Sequence, residues 1–247
     1  MLKFPDDAIL LSRPQKIKNG LIVVLPSVGR NHIPKFSRHS WKEDFFDYAF
    51  MAVADPQMIL VKDIEGINGT WFLSDDASTE SWLVPLRDKI KNIITENGCD
   101  IEEIPIVFAG SSMGGYAALI MSSFFKKSFA FSECPQVVLE RYRHSNYTIE
   151  CLRIPRSNSF TDLRLFFNND VNKPAGKIFC SLSDKDHLDN HISPLLKALS
   201  EDEGYTTNAK RKLEFSFNVG GDTPIGHKQL SRERFKNEVL ALLNCLK

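Results

Sequence analysis

The sequence predicts an α/β fold, with a mostly parallel central sheet and helices on both faces. Three observations predict it. Short apolar runs bounded by turn residues alternate with helix-patterned stretches along the whole chain. A glycine-rich turn joins one such run directly to an apolar helix. The 247 residues are enough chain to bury a sheet between two helical layers.

In order, Ala8 to Leu11 and Leu21 to Leu25 are strand candidates, the second ending at Pro26 and apolar throughout, as a strand buried on both faces should be. Tyr48 to Ala54 is another, stopped by Asp55-Pro56, and Met58 to Val61 reads as a further short one. Thr79 to Asn97 carries Trp82, Leu83, Leu86, Ile90, Ile93 and Ile94 at helical spacing, with Gly98 just past its end. Ile104 to Ala109 leads into the turn at Gly110 to Gly115, which an apolar helical stretch follows to Phe125. Phe129 to Phe131 and Lys177 to Leu182 resume the strand pattern, and His191 to Leu199 is helical. Leu213, Phe215, Phe217 and Val219 alternate with polar residues, the mark of a half-exposed strand near a sheet edge. A last helix spans roughly Gln229 to Leu246. With neither repeats nor low-complexity linkers, residues 1–247 read as a single domain. A lid-like insertion at 133–173 is polar and poor in periodicity.

Lys+Arg and Asp+Glu both number 31, so the formal net charge is zero. That balance gives no global electrostatic reason to expect nucleic-acid or anionic-membrane partners. The N-terminal residues do not read as a signal peptide, and no apolar run approaches the ~18 residues of a membrane span. The five cysteines (Cys99, Cys134, Cys151, Cys180 and Cys245) are scattered, without a CxxC pair. Reduced thiols in a cytoplasmic protein are the expectation, rather than a disulfide framework or a zinc site.

Gly110-Ser111-Ser112-Met113-Gly114-Gly115 contains G-x-S-x-G centred on Ser112. The preceding strand and following helix are the setting a nucleophile elbow requires. Larger side chains at Gly110 or Gly114 would clash in so tight a turn. The Met113 N–H, near the positive end of the helix dipole, is a candidate oxyanion donor. A phosphate-cradling turn is the plainer alternative, but neither G-x-G-x-x-G nor a P-loop ending is present, and no cofactor is implied.

A serine hydroxyl needs a base to take its proton. Of six histidines (His32, His39, His144, His187, His191 and His227), His227 alone follows the last strand and precedes the final helix, the place that the chain order serine, acid, histidine requires. The acid should follow the strand at Lys177 to Leu182, where the loop reads Ser183-Asp184-Lys185-Asp186-His187-Leu188. Asp186 fits the usual spacing slightly better than Asp184, and the choice stays open; Asp189 is a distant third. A second oxyanion donor is expected after Leu21 to Leu25, from the N–H of Ser27 or Val28.

From LIVVLPSVG to Gly226-His227 the chain resembles the α/β-hydrolase superfamily. The resemblance implies an eight-stranded type of sheet and two-step acyl chemistry through Ser112. Gly69-Thr70-Trp71-Phe72-Leu73, GSSMGGYAAL and Cys134-Pro135-Gln136 together resemble α/β-hydrolase-like proteins of bacterial capsule and surface-polysaccharide biosynthesis, which often carry Asn where this chain has Cys134. That likeness implies sugar O-acyl groups as substrates and puts Trp71 either at the rim of the site or in the core. In the insertion, Arg141, Arg143, Arg153, Arg156 and Arg164 are read first as solvated residues pairing with Glu140, Glu150 and Asp162, and second as readers of an acidic glycan or acyl carrier.

The expected function is a serine esterase acting on a small-molecule or glycan ester through an acyl-enzyme. The rivals are an O-acyltransferase of surface polysaccharide on the same fold, and a non-catalytic binding protein of a polysaccharide or secretion assembly.

Overall fold

The computed structural model describes residues 2–28, 36–60, 69–74, 81–154, 159–168, 173–202, 212–218 and 230–247. Seven strands form one sheet: β1 (Ile9–Ser12), β2 (Leu21–Leu25), β3 (Ala49–Val53), β4 (Ile106–Ser111), β5 (Ser128–Glu133), β6 (Gly176–Ser181) and β7 (Leu213–Asn218). Their order is β1-β3-β2-β4-β5-β6-β7, with β1 antiparallel to β3 and every other pairing parallel. The chain therefore reverses direction across the sheet at β2 and β4, whose carboxyl ends border the crevice where such sheets bind ligands.

The central strands are apolar on both faces because both faces are covered. Val23, Leu25, Met51, Ile106 and Phe108 point into the larger core with α2 (Leu83–Glu96) and α3 (Met113–Ser123). Ile22, Val24, Phe50, Val107 and Ala109 alternate onto the other face, against Phe235, Val239 and Leu243 of the C-terminal helix Arg232–Leu246. That helix begins at Ser231, whose side chain accepts the Arg234 N–H. None of the helices among the described residues is long and apolar enough to cross a membrane.

Two expectations need correction. Of the run from Met58 to Val61, Met58 to Leu60 belong to a short helix, α1 (Pro56–Leu60), not a strand, and Val61 lies outside the described residues. Proline suits its first turn, and the Asp55 carboxylate accepts the Gln57 N–H at 3.1 Å, satisfying a donor that the turn would otherwise leave open. A short apolar run carries no period with which to tell the two states apart. The helix expected from Thr79 begins at Leu83, because Ser81 forms a bridge with Leu73 and its hydroxyl accepts the Leu83 N–H at 3.2 Å.

The segment after β5 is more structured than its polar composition suggests. It holds α4 (Arg143–Cys151) and α5 (Leu163–Asn168), and Val137, Val138, Leu139, Leu152, Phe160 and Phe166 join the larger core. Arg164 pairs with Asp162 as read from the sequence, whereas Arg156 and the side chains of Arg143 and Tyr147 lie outside the described residues. Beyond β6, α6 (Lys185–His187) and a five-residue π-helical stretch run into α7 (Ser193–Glu201).

Candidate active site

Ser112 sits between β4 and α3 with φ 57° and ψ −118°, a backbone state that L residues with a side chain rarely adopt. Its neighbours hold it there. The Ser112 N–H donates to the Glu133 carbonyl at 2.8 Å, and its own carbonyl accepts the Tyr116 N–H at 2.9 Å. A Cβ on Gly110 would overlap the Gly114 backbone, and one on Gly114 would lie 2.5 Å from the Leu25 carbonyl oxygen. Both glycines are thus required by the close approach of strand, helix and the β2 exit. Strain of this kind, worth about 1–3 kcal/mol, persists where surrounding structure over-determines it.

Ser27 and Val28 lie at that β2 exit, beside the head of α3. The Ser27 N–H donates to Ser37 Oγ at 3.3 Å, and Val28 packs against the core. Met113 is the first residue of α3, and its Sδ accepts the Trp71 backbone N–H at 3.3 Å. His227 and the rest of 219–229 lie outside the described residues. Three positions past His227, the Leu230 N–H donates to Glu133 Oε1 at 2.7 Å. Glu133 therefore binds the serine turn through its backbone and the residue following the candidate base loop through its carboxylate. The same buried carboxylate pairs with Arg38, whose guanidinium stacks 4.9 Å from the Trp41 ring and 4.2 Å from that of Phe235. Burial pushes the Glu133 carboxyl up, opposed by the Arg38 charge and by the Leu230 N–H.

The two candidate acids face different surroundings. Asp184 is half-buried and caps α6, its Oδ1 accepting the His187 N–H at 3.2 Å. Its charge also reaches inward: the buried Cys134 thiol is pushed up to about 12 by desolvation first, then by Glu133 and Asp184. Asp186 is exposed, and its Oδ1 accepts from Asn190 Nδ2 at 2.8 Å. Two other histidines are committed to backbone: His187 Nε2–H donates to the Pro135 carbonyl at 2.8 Å, and His191 Nδ1 accepts the Val138 N–H at 3.3 Å.

Sequence reasoning missed Gln136 as a site residue. It is fully buried, and its Oε1 accepts the Ser112 hydroxyl at 3.0 Å and the Trp71 indole N–H at 3.3 Å. Trp71 is accordingly both core and site: fully buried, yet linked to the serine through the shared acceptor Gln136 Oε1. Cys134-Pro135-Gln136 stood out in the sequence only as part of a resemblance. A glutamine three residues past the strand beside the serine turn was the available signal. Trp71 and Phe72 both have positive φ, 50° and 56°, and a buried carboxylate, Asp55, fastens this turn by accepting the Phe72 N–H at 2.9 Å and the Thr70 hydroxyl.

No protein-family model matches the chain, and neither does any curated protein sequence. Solved structures do match. The capsule O-acetyltransferase of Neisseria meningitidis serogroup A is similar at 19% identity and TM-score 0.59, over 92% of this chain and 84% of that one. An S-formylglutathione hydrolase from Agrobacterium tumefaciens is similar at 11% identity and TM-score 0.60, over 92% and 84%. A chain of the glycosylation associate protein (Gap123) complex from Streptococcus agalactiae matches at 15% identity and TM-score 0.63, over 96% of this chain and 44% of that one. At these identities the likeness establishes architecture: with its reversal at β2 and β4 and its strand–serine–helix turn, the chain has the α/β-hydrolase fold.

Proposed function

We propose that this chain is a serine hydrolase that cleaves small carboxylic esters through an acyl-enzyme on Ser112. The observation that carries the reading is the backbone of Ser112: a strained φ of 57° at the head of α3, kept in place by two glycines that the packing requires. A fold has no packing reason to hold a serine so, and strain of this kind gathers at working sites.

In this reading His227 takes the Ser112 proton as Oγ attacks the ester carbonyl carbon. The carbonyl oxygen becomes an oxyanion, met by the Met113 N–H at the positive end of α3. Val28 is the better second donor, since the Ser27 N–H already has Ser37. Collapse breaks the bond to the leaving alcohol, which receives the proton from His227. Water then attacks the acyl carbon, gives one proton to His227, and the acid departs as Oγ recovers that proton. Asp184 is the better orienting acid, because it is half-buried and its charge reaches the buried Cys134, whereas Asp186 is exposed. Five free cysteines, two of them buried, suit the cytoplasm.

The fold shared with a capsule O-acetyltransferase supports a second reading, in which a sugar hydroxyl of surface polysaccharide takes the acyl group instead of water. The third, a non-catalytic member of an assembly, has the Gap123 likeness in its favour and the strained serine against it. Incubation with a fluorophosphonate separates catalysis from binding. Wild type labels, and Ser112→Ala and His227→Ala do not; a folded wild type that fails to label removes the hydrolase and transferase readings together.

A further inference from the structure

Gln136 is a side chain whose orientation can be worked out. An indole N–H only donates, so the Gln136 atom 3.3 Å from Trp71 Nε1 must be the carbonyl oxygen. Ser112 Oγ lies 3.0 Å from that same oxygen and must therefore be the donor. Trp71 cannot swing away: it is fully buried, its backbone N–H is on Met113 Sδ, and its ring packs edge-on against Tyr142 at 5.7 Å. The resting enzyme thus holds a fixed acceptor beside the nucleophile, filled by two donors, and the single Ser112 hydroxyl hydrogen turns from it to the base before attack. Acylation removes one of them, because Oγ then carries no hydrogen.

We propose that Gln136 selects water over an alcohol as the acceptor of the acyl group, an inference that rests on the acyl-enzyme reading above. The attacking oxygen must come within ~3–3.5 Å of the acyl carbon, which is bonded to Oγ; in this proposal it approaches on the side of Gln136 Oε1, which lies 3.0 Å from Oγ. Water has two hydrogens: one goes to the base and returns to Oγ as the acyl–Oγ bond breaks. The other stays with the product acid and is held by Oε1 during attack. An alcohol has one hydrogen, which the base must take, so its oxygen would face Oε1 lone pair to lone pair in a buried site. Such a mismatch costs on the order of tenfold in rate. Gln136 acts here as a positioning and specificity-determining group for the second half-reaction.

The test uses the full chain with p-nitrophenyl acetate, in water and in water containing methanol. Three quantities are read: first-turnover nitrophenolate release, decay of the acetylated protein by intact mass, and the ratio of methyl acetate to acetate. Gln136→Leu is expected to slow decay in water about tenfold relative to the first turnover, and to raise the methyl acetate share by a similar factor. Gln136→Glu keeps an acceptor oxygen toward Trp71 and Ser112 and is expected to restore the wild-type ratio. An unchanged ratio in the leucine variant, or a glutamate variant that shifts as leucine does, overturns the proposal. Should the leucine variant not fold, Gln136→Met, which fills a similar volume without an acceptor oxygen, must raise the methyl acetate share; no rise overturns the proposal. A wild type that never becomes acetylated defeats the hydrolase reading, and this inference with it. Acetylation with unshifted ratios defeats this inference alone.

Discussion

Replacing Arg38 with methionine should destabilise the fold in a pH-dependent way. The side chains of Arg38 and Glu133 are 4% and 1% exposed, so the carboxylate left behind cannot recover its lost partner from bulk water. It would keep the Leu230 N–H at 2.7 Å, one neutral donor in place of a cation. Breaking a buried pair from one side costs about 3–5 kcal/mol, and the stacking of the guanidinium on Trp41 and Phe235 is lost as well. Burial already raises the Glu133 carboxyl above its ordinary value, and removing the opposing charge raises it further. The sign follows. A carboxyl whose folded value lies above its unfolded one favours folding when protonated, so stability is highest at low pH and falls as pH rises through the folded value. Urea unfolding followed by circular dichroism should therefore show the full loss at neutral pH and a smaller one in mild acid. The double variant Arg38→Met/Glu133→Gln, whose amide oxygen still accepts from Leu230, should recover most of it. A single-variant loss below ~1 kcal/mol at neutral pH, or one that does not shrink on acidification, would refute the reasoning.

Other outcomes follow from the same geometry. Ser112→Gly should stabilise the protein by roughly 1 kcal/mol in thermal or urea unfolding while abolishing fluorophosphonate labelling, since glycine adopts the serine's φ without strain; a destabilised variant contradicts the strain argument. Asp55, buried beneath the Trp71–Phe72 turn, is raised from 3.8 to about 6 by desolvation, which outweighs its hydrogen bonds to Thr70, Phe72 and Gln57. Its protonation favours the folded state, so it should contribute a stability decrease of about 3 kcal/mol as pH rises from about 4 to about 6. In Asp55→Asn that component is absent, and a wild-type-shaped pH profile in the variant would show that Asp55 is not its source.

Much of this was legible in the sequence because the relevant signals are local. LIVVL is apolar at each position since Leu21–Leu25 lies between two covered strands, and the alternation at Leu213–Asn218 marks the last strand of the described sheet, where Leu213 and Phe215 pack partly on the core while Phe217 is exposed. The serine turn was readable because Gly110 and Gly114 are demanded by backbone approach, which fixes residue identity at short range. What could not be read depends on contacts far apart in the chain. Gln136 meets Trp71 across 65 positions, and Arg38 meets Glu133 across 95; neither leaves a periodic or spacing signature. The segment at 133–173 looked solvated because it is rich in Arg and Asn and poor in periodicity, yet Val137, Leu139, Phe160, Leu163 and Phe166 reach the core. Asp184 and Asp186 differ by two positions in one loop, and only the cap at α6 turns one inward and the other out.

The central claim is that Ser112 is the nucleophile and that His227 activates it. It is tested most directly by peptide mapping of the protein after a fluorophosphonate has reacted. The account predicts a single adduct, on the peptide bearing Ser112, formed in wild type and lost in His227→Ala. An adduct on Ser111, Ser27 or any other residue, or undiminished labelling without the imidazole, would contradict it.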